Sequence, residues 1–194
     1  MLLKPLLRKH IIELLTAFDP FLIKTSFSSP PLDLHIKSYF QTNKSLGSHD
    51  RGLIADTIYK LIRYKVFLDL IAKKPVNWNS RLESLDSEDF ENKIKNPSFK
   101  TNVRCSCPED LFALLVDSYG EGKAFEYCES MLEKAPLTIR ANPLKVSRED
   151  LFEQMKLIDR HKKLEKCLYS PLGVKFMSMR NVFKIKILIF LFIH

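Results

Sequence analysis

The chain has 194 residues, of which 45% are hydrophobic and 28% charged, with a formal net charge of +8. This balance excludes an intrinsically disordered polymer and fits a globular protein of one or two domains. The longest apolar run, Ile187 to Ile193, is far shorter than the roughly 20 residues of a membrane-spanning helix. Four cysteines and no recognisable signal peptide predict a cytoplasmic protein in a reducing compartment.

The charge is unevenly divided along the chain. Residues 1–80 carry 12 Lys or Arg and 6 Asp or Glu, residues 81–135 carry 7 and 12, and residues 136–194 carry 12 and 5. Two basic ends therefore flank an acidic middle. The basic ends predict an anionic partner such as RNA, although a solvated lysine-rich surface would give the same totals.

The first 75 residues predict a bundle of three amphipathic helices joined by short loops. The first helix is expected to stop at Asp19-Pro20, because the residue before a proline disfavours helix. Ser48 is a good N-cap for the third helix, and Pro75 ends the unit. The predicted helices cover residues 5–18, 32–40 and 48–72.

The middle of the chain predicts an acidic linker and then a helix pair. Residues 76–104 are less periodic and predict a linker with one short helix, which Trp78 anchors on the bundle. Pro108 is placed for the first turn of a helix that ends at Tyr119-Gly120, and a second helix runs from Lys123 to Lys134. Leu111, Phe112, Leu114, Leu115 and Val116 fill the first helix, and the second is expected to bury Phe125, Tyr127, Cys128, Met131 and Leu132.

A half-buried strand is predicted in the stretch from Pro136 to Lys145, because its first half alternates apolar and polar residues. Pro143 closes the strand by removing a ladder donor. Arg140 and Asn142 share the face of Thr138, and a guanidinium beside an amide suits phosphates and base edges. An ordinary edge strand with a solvated polar face is the alternative.

The rest of the chain predicts a small α+β fragment and an unusual tail. A helix from Arg148 to about Met155 begins at a capping pair, Ser147 and Asp150. Residues 160–166 are predicted to be a basic loop, and residues 169–176 a turn and a short strand. The fold class is therefore mainly α, with a helical bundle, a helix pair and a strand-helix-strand fragment.

The last residues, 177–194, form an aberrant apolar tail. From Ile185 to His194 there is no polar alternation, no cap and no turn, and a strand that is apolar on both faces needs cover on both sides. We expect a truncated or shifted reading frame near Lys184, which the neighbouring genomic frames would test.

Three stretches of the sequence match, in order, the motifs of one protein family. Residues 46–64 contain L-G-S-H-D-R and Y-K-L-I-R-Y, residues 106–124 contain S-C-P-E-D-L and Y-G-E-G-K-A, and residues 136–151 contain P-L-T-I-R-A-N-P-L-K and S-R-E-D-L. Together with Y-S-P-L-G at residues 169–173, they cover most of residues 1–176. They resemble the RsmB/Sun (Fmu) family, S-adenosylmethionine-dependent methyltransferases that make 5-methylcytosine in ribosomal RNA.

The resemblance implies a NusB-like domain at residues 1–75, a linker at 76–104, and a helix pair with a small, incomplete α+β RNA-contacting module at 105–176. It implies S-adenosylmethionine as the family's cofactor and ribosomal RNA as the partner. The family's catalytic cysteines stand in Pro-Cys and Thr-Cys contexts, which this chain lacks, and no glycine-rich turn follows a strand. The pair Cys105-x-Cys107 has no second ligand pair. We therefore assign no catalytic, cofactor-binding or metal residue to this chain.

The candidate RNA contacts are basic or amide residues of the strand, the basic loop and the third helix. They are Arg140, Asn142, Lys145, Arg160, Lys162, Lys163, Arg51, Arg63 and Lys65. Arg51 and Arg63 have a structural alternative, in which they pair with carboxylates inside the bundle, and Lys162 and Lys163 are alternatively simple solvated charges.

The predicted function is the RNA-binding N-terminal portion of a ribosomal RNA cytosine methyltransferase, truncated before its catalytic domain and inactive alone. The alternative is a stand-alone NusB-like helical adaptor that binds protein partners.

Overall fold

The computed structural model describes residues 3–23, 31–133, 135–158 and 164–176. The chain divides into two compact units, Met1–Leu132 and Glu133–His194. Within the described residues, the first unit is helical and the second holds one helix and a small antiparallel sheet. The predicted class, mainly α with a small α+β fragment, is confirmed. The predicted boundaries at residues 75 and 104 both fall inside the first unit.

The described elements follow each other in a simple order. The helices of the first unit are α1 (Pro5–Ile23), α2 (Leu32–Thr42), α3 (Ser48–Arg63), α4 (Lys65–Ile71), α5 (Trp78–Leu85), α6 (Phe90–Lys95), α7 (Thr101–Arg104), α8 (Glu109–Tyr119) and α9 (Glu121–Leu132). The second unit contains β1 (Leu137–Arg140), α10 (Arg148–Ile158), β2 (Leu164–Lys166) and β3 (Gly173–Phe176). Among all the described residues of both units, no helix combines the length and apolar character needed to cross a bilayer.

One hydrophobic core holds the first unit together from α1 to α6. Phe67 lies at its centre, where its ring meets those of Phe90 and Phe99 edge to face at 5.9 and 5.5 Å. Trp78 is 3% exposed in the same core, which confirms its predicted anchoring role. The prediction of a linker with one short helix is wrong, because the segment forms three helices, α5 to α7. Its buried side chains are too widely spaced in sequence to show a clear period.

Three predicted helix limits in the first unit are also wrong. α1 passes through Asp19-Pro20 and ends at Ile23, so the one hydrogen bond that Pro20 removes does not end this helix. Gly47, and not Ser48, is the N-cap of α3, and no side-chain cap bond is made there. The predicted helix over residues 48–72 is divided at Tyr64 (φ −93°, ψ 14°) into α3 and α4.

The helices α8 and α9 pack on each other across Gly120, whose φ of 78° favours glycine. Tyr127 and Met131 were expected to be buried, but they are 55% and 57% exposed. That prediction is wrong because α9 buries only a narrow stripe of side chains, and the side of the helix that carries Tyr127 and Met131 faces solvent. The buried residues of this small core are Cys105, Cys107, Phe112, Ala124 and Cys128.

The sheet of the second unit has the strand order β1-β3-β2, with both pairs antiparallel. α10 covers one face, and the predicted capping pair at its start is confirmed. The hydroxyl of Ser147 accepts the backbone N–H of Asp150 at 3.0 Å and donates to Oδ2 of Asp150 at 2.7 Å. The predicted basic loop is wrong for residues 164–166, which form β2, because a three-residue strand is too short to show alternation.

Gly173 opens β3 at a point of close approach. A Cβ at this position would lie 2.7 Å from Sγ and 2.9 Å from Cβ of Cys167. We expect Gly173→Ala to lower the free energy of unfolding of the second unit by about 1–3 kcal/mol, because overpacking forces neighbouring atoms to move. Hydrogen exchange of peptides from β3 would measure this loss. Gly122→Ala is the control, since open space surrounds that position, and an equal loss of β3 protection in both variants would contradict the prediction.

Candidate nucleic-acid interface

Among the described residues of the second unit, no helix covers one of the two faces of the sheet. Leu137 and Ile139 turn toward α10, whereas Thr138 and Arg140 are exposed on the opposite face. This alternation confirms the predicted half-buried strand. α10 is the one helix among the described residues of this unit, and its contacts are with the apolar side of the sheet.

Lys175 of β3 places a second cation on this open sheet face. It lies directly opposite Thr138, and Arg140 lies opposite Gly173. The two cations are therefore diagonal neighbours on adjacent strands, with Cα atoms roughly 7 Å apart. Glu165 lies opposite Lys175 on its other side. Among the described residues, neither Arg140 nor Lys175 has a hydrogen-bond or ion-pair partner, so both charges are available to a ligand.

The side chain of Asn142 shapes the turn after β1. Its Oδ1 accepts the backbone N–H of Leu144 at 3.1 Å, and its carbonyl accepts those of Lys145 and Val146 at 2.9 and 3.0 Å. The amide oxygen is therefore engaged in a local turn, and RNA contact by Asn142 stays a prediction. Lys145 is exposed beside a shallow groove of about 560 Å³.

Two other cations of the second unit are held by one carboxylate. Oε1 of Glu149 lies 3.0 Å from Nη2 of Arg148 and 3.3 Å from Nζ of Lys166. Hydrogen bonds lower the pKa of Glu149. The bond from Arg148 has the largest effect, and those from the backbone of Glu149 and from Lys166 follow. Nζ of Lys166 also lies 5.5 Å from the centre of the Phe152 ring. These cations are thus on the α10 side, away from the open sheet face.

The candidates of the first unit are in different surroundings. Nε of Arg51 donates to the carbonyl of Leu46 at 2.9 Å, and its guanidinium lies 5.7 Å from the centre of the Phe40 ring. This arrangement favours the structural alternative, through a carbonyl and an aromatic ring where a carboxylate was expected. Arg63 has no ion pair in the described part of the chain.

Lys65 belongs to an ion-pair group that the sequence did not reveal. Asp69 accepts Nζ of Lys65 and Nε of Arg81, each at 2.6 Å. Arg81 comes from the segment predicted as a linker, so its pairing depends on the tertiary fold. RNA contact by Arg51, Arg63 and Lys65 stays a prediction. Arg160, Lys162 and Lys163 lie outside the described residues. Lys175 was missed, although the alternation of Gly-Val-Lys-Phe places it on the polar face.

Three cysteines share the small core of the α8–α9 pair. Burial, with the neighbouring Cys128 thiol as a further cause, raises the pKa of Cys105 to about 12 and that of Cys107 to about 11. Cys128 is 3% exposed, which confirms its predicted place in the core. In the described residues no group of three or more His, Cys, Asp or Glu side chains is arranged to hold a metal ion.

The buried thiols should be protected from alkylation in the folded chain. Thiolate is the reactive form, and a raised pKa leaves almost none at neutral pH. We expect iodoacetamide to modify Cys167, which is only partly buried, at least about tenfold faster than Cys105 or Cys107. Mass spectrometry of timed samples would measure the alkylation rate of each cysteine. In denaturant, the rates of all these cysteines should become similar. Similar rates without denaturant would count against this assignment.

Comparison with known proteins gives the fold a precedent. No family model matches the sequence, and no curated protein matches it. Among solved structures, the chain is similar to the crystal structure of PH0851, with a TM-score of 0.56 and 14% identity. The similarity covers 94% of this chain and 51% of PH0851, so the chain spans about half the length of that protein. At this identity the likeness shows a shared fold alone.

Proposed function

We propose that this chain is the RNA-contacting N-terminal portion of a ribosomal RNA cytosine methyltransferase of the RsmB/Sun type. The proposal rests on one observation, which is that Arg140 and Lys175 are diagonal neighbours on the open sheet face and have no ion-pair partner among the described residues. The three ordered motifs of the sequence and the fold shared with PH0851 support a distant family relation.

The chemistry of the open sheet face suits a polyanion. A guanidinium can bind a phosphate through two parallel hydrogen bonds, and an ammonium adds a point charge beside it. The turn between β2 and β3 exposes Tyr169, which is 94% accessible. An exposed aromatic ring offers a stacking surface for an unpaired base, which is the usual target in sequence-specific RNA recognition.

Methyl transfer is proposed to lie outside these residues. In the family, a cysteine thiolate attacks the base and S-adenosylmethionine supplies the methyl group. Here Cys105, Cys107 and Cys128 are buried in a helical core, and the first two have raised pKa values that disfavour the thiolate. A methylation assay with radiolabelled S-adenosylmethionine should show no transfer by this chain alone, and activity would contradict this division.

The binding experiment uses the full chain and a fluorescein-labelled fragment of ribosomal RNA. We expect the logarithm of the affinity to fall linearly with the logarithm of the salt concentration, with a slope near one per phosphate contact. Arg140→Ala and Lys175→Ala should each reduce that slope by about 1, and together weaken binding about tenfold.

Lys156→Ala is the matched control, because Lys156 is an exposed cation of the same unit that pairs with Glu153 at 3.0 Å. It should leave the slope unchanged. Equal binding by the double variant and the unmodified chain would remove the support for this interface. RNA binding that is absent or insensitive to salt would instead favour the adaptor function, in which the helical unit binds a protein.

A further inference from the structure

The α8–α9 pair exposes large apolar side chains along one flank. Leu111 and Leu114 are about one turn apart on α8, and Tyr127 and Met131 are one turn apart on α9. The rings of Tyr119 and Tyr127 are parallel within 1°, with centroids 6.1 Å apart, and they join the two helices. The exposed fractions are 47% for Leu111, 66% for Leu114, 58% for Tyr119, 55% for Tyr127 and 57% for Met131. These five residues are named here the hairpin flank.

A group of this size has a different meaning from single exposed leucines. Isolated apolar residues are common on protein surfaces, but contiguous patches of several hundred Å² mark interaction sites. The stacked tyrosines also border a shallow depression of about 330 Å³, which Lys123 and Ser130 help to line. Glu126 completes the lining of this depression. Two tyrosine rings beside a carboxylate are suited to receive an apolar anchor that has a cation next to it.

The surroundings of the hairpin flank are strongly acidic. Residues 109–133 contain seven Asp or Glu and one Lys. Glu109 is paired with Lys100 at 3.2 Å. No ion pair engages Asp117 or Glu126 within the described ranges, and Glu126 lines the same depression as Tyr119 and Tyr127. The apolar flank therefore lies in a negative potential, in contrast to the basic segments at both ends of the chain.

We infer that the hairpin flank docks a lysine- or arginine-rich amphipathic helix of a partner protein. The apolar stripe of such a helix would cover the exposed leucine, tyrosine and methionine side chains, and its flanking cations would face the free carboxylates. Phosphates of RNA and anionic lipid headgroups would be repelled by the same carboxylates. The inferred partner is thus distinct from the RNA proposed for the second unit.

The test measures fluorescence anisotropy of labelled synthetic helices added to the full chain. One peptide carries leucine at helical i, i+3 and i+4 spacing with lysine elsewhere, and a second has glutamate in place of every lysine. The test variant combines Leu114→Gln with Tyr127→Gln, which changes only exposed side chains and keeps good helix formers. Leu157→Gln is the matched control, since Leu157 is a 72% exposed leucine on α10.

We expect the leucine-lysine peptide to bind and the leucine-glutamate peptide not to bind. The variant with Leu114→Gln and Tyr127→Gln should weaken binding of the leucine-lysine peptide roughly tenfold. Leu157→Gln should leave that binding unchanged. Glu126→Gln should also weaken the binding of this peptide, most strongly at low salt. Undiminished binding by the Leu114 and Tyr127 variant, or no binding of the leucine-lysine peptide, would overturn the inference. A parallel loss of RNA affinity in the Leu114 and Tyr127 variant would also overturn the inference, because it would make the hairpin flank a nucleic-acid surface.

Discussion

Phe67→Ala is expected to lower the free energy of unfolding of the first unit by about 3–5 kcal/mol, the usual cost of removing a fully buried aromatic ring. Phe67 is 0% exposed, and its ring has edge-to-face contacts with Phe90 and Phe99. The substitution would leave a cavity between α4 and α6 and would remove these ring contacts. Because a typical domain is stable by only about 5–15 kcal/mol, the variant should approach unfolding at moderate temperature.

Trp78 allows this loss to be measured directly. It is the only tryptophan of the chain and lies in the same core, so its fluorescence during urea unfolding should follow the first unit. The control is Leu70→Ala on α4, where the leucine is 54% exposed and the expected change is within about 0.5 kcal/mol. Equal shifts of the urea midpoint in both variants would mean that Phe67 has no special place in the core.

Leu151→Ala is expected to have the second large effect, about 2–5 kcal/mol on the second unit. Leu151 is 1% exposed and packs from α10 onto the sheet. The core of this unit is small, so one cavity removes a large share of its packing. The buried residues of this core are Ala141, Val146, Leu151, Phe152, Met155, Val174 and Phe176.

This substitution should also reduce RNA binding without touching a cation. If α10 no longer holds the sheet, Arg140 and Lys175 lose their fixed spacing on adjacent strands. Hydrogen exchange of β3 and RNA anisotropy should therefore change together in Leu151→Ala, and neither should change in Leu157→Ala, whose leucine is 72% exposed on the same helix. If Leu151→Ala loses the hydrogen-exchange protection of β3 but keeps normal RNA affinity, the RNA-binding surface does not depend on the sheet, which would contradict the proposed interface.

The sequence was most informative where one physical signal was strong and local. The alternation after Pro136 predicted both β1 and the exposure of Arg140, because side-chain direction in a strand has a strict period of two. The pair Ser147 and Asp150 predicted the start of α10, because a capping pair is formed within one turn. The mainly α class followed from apolar stripes at helical spacing, whose burial is also the main source of helix stability.

The failures come from contacts that join distant parts of the chain. Arg81 on α5 pairs with Asp69 on α4, and no local sequence pattern predicts this contact. Proline at position 20 was given too much weight, because the packing of α1 onto the bundle is not visible from the local sequence. β2 has only three residues, and it is specified by its hydrogen bonds to β3. The candidate interface was therefore half predicted, with Arg140 found from its strand and Lys175 overlooked.

The position of β3 has a consequence for the order of folding. This strand is the last described element in the sequence but the central one in space, and β1 and β2 have no hydrogen bonds to each other. During synthesis, both edge strands must therefore wait until residues 173–176 have left the ribosome. The nine helices described in the first unit are complete some 40 residues earlier, so the helical half has time to form while the sheet is still open, and the paired cations come together only as a late step.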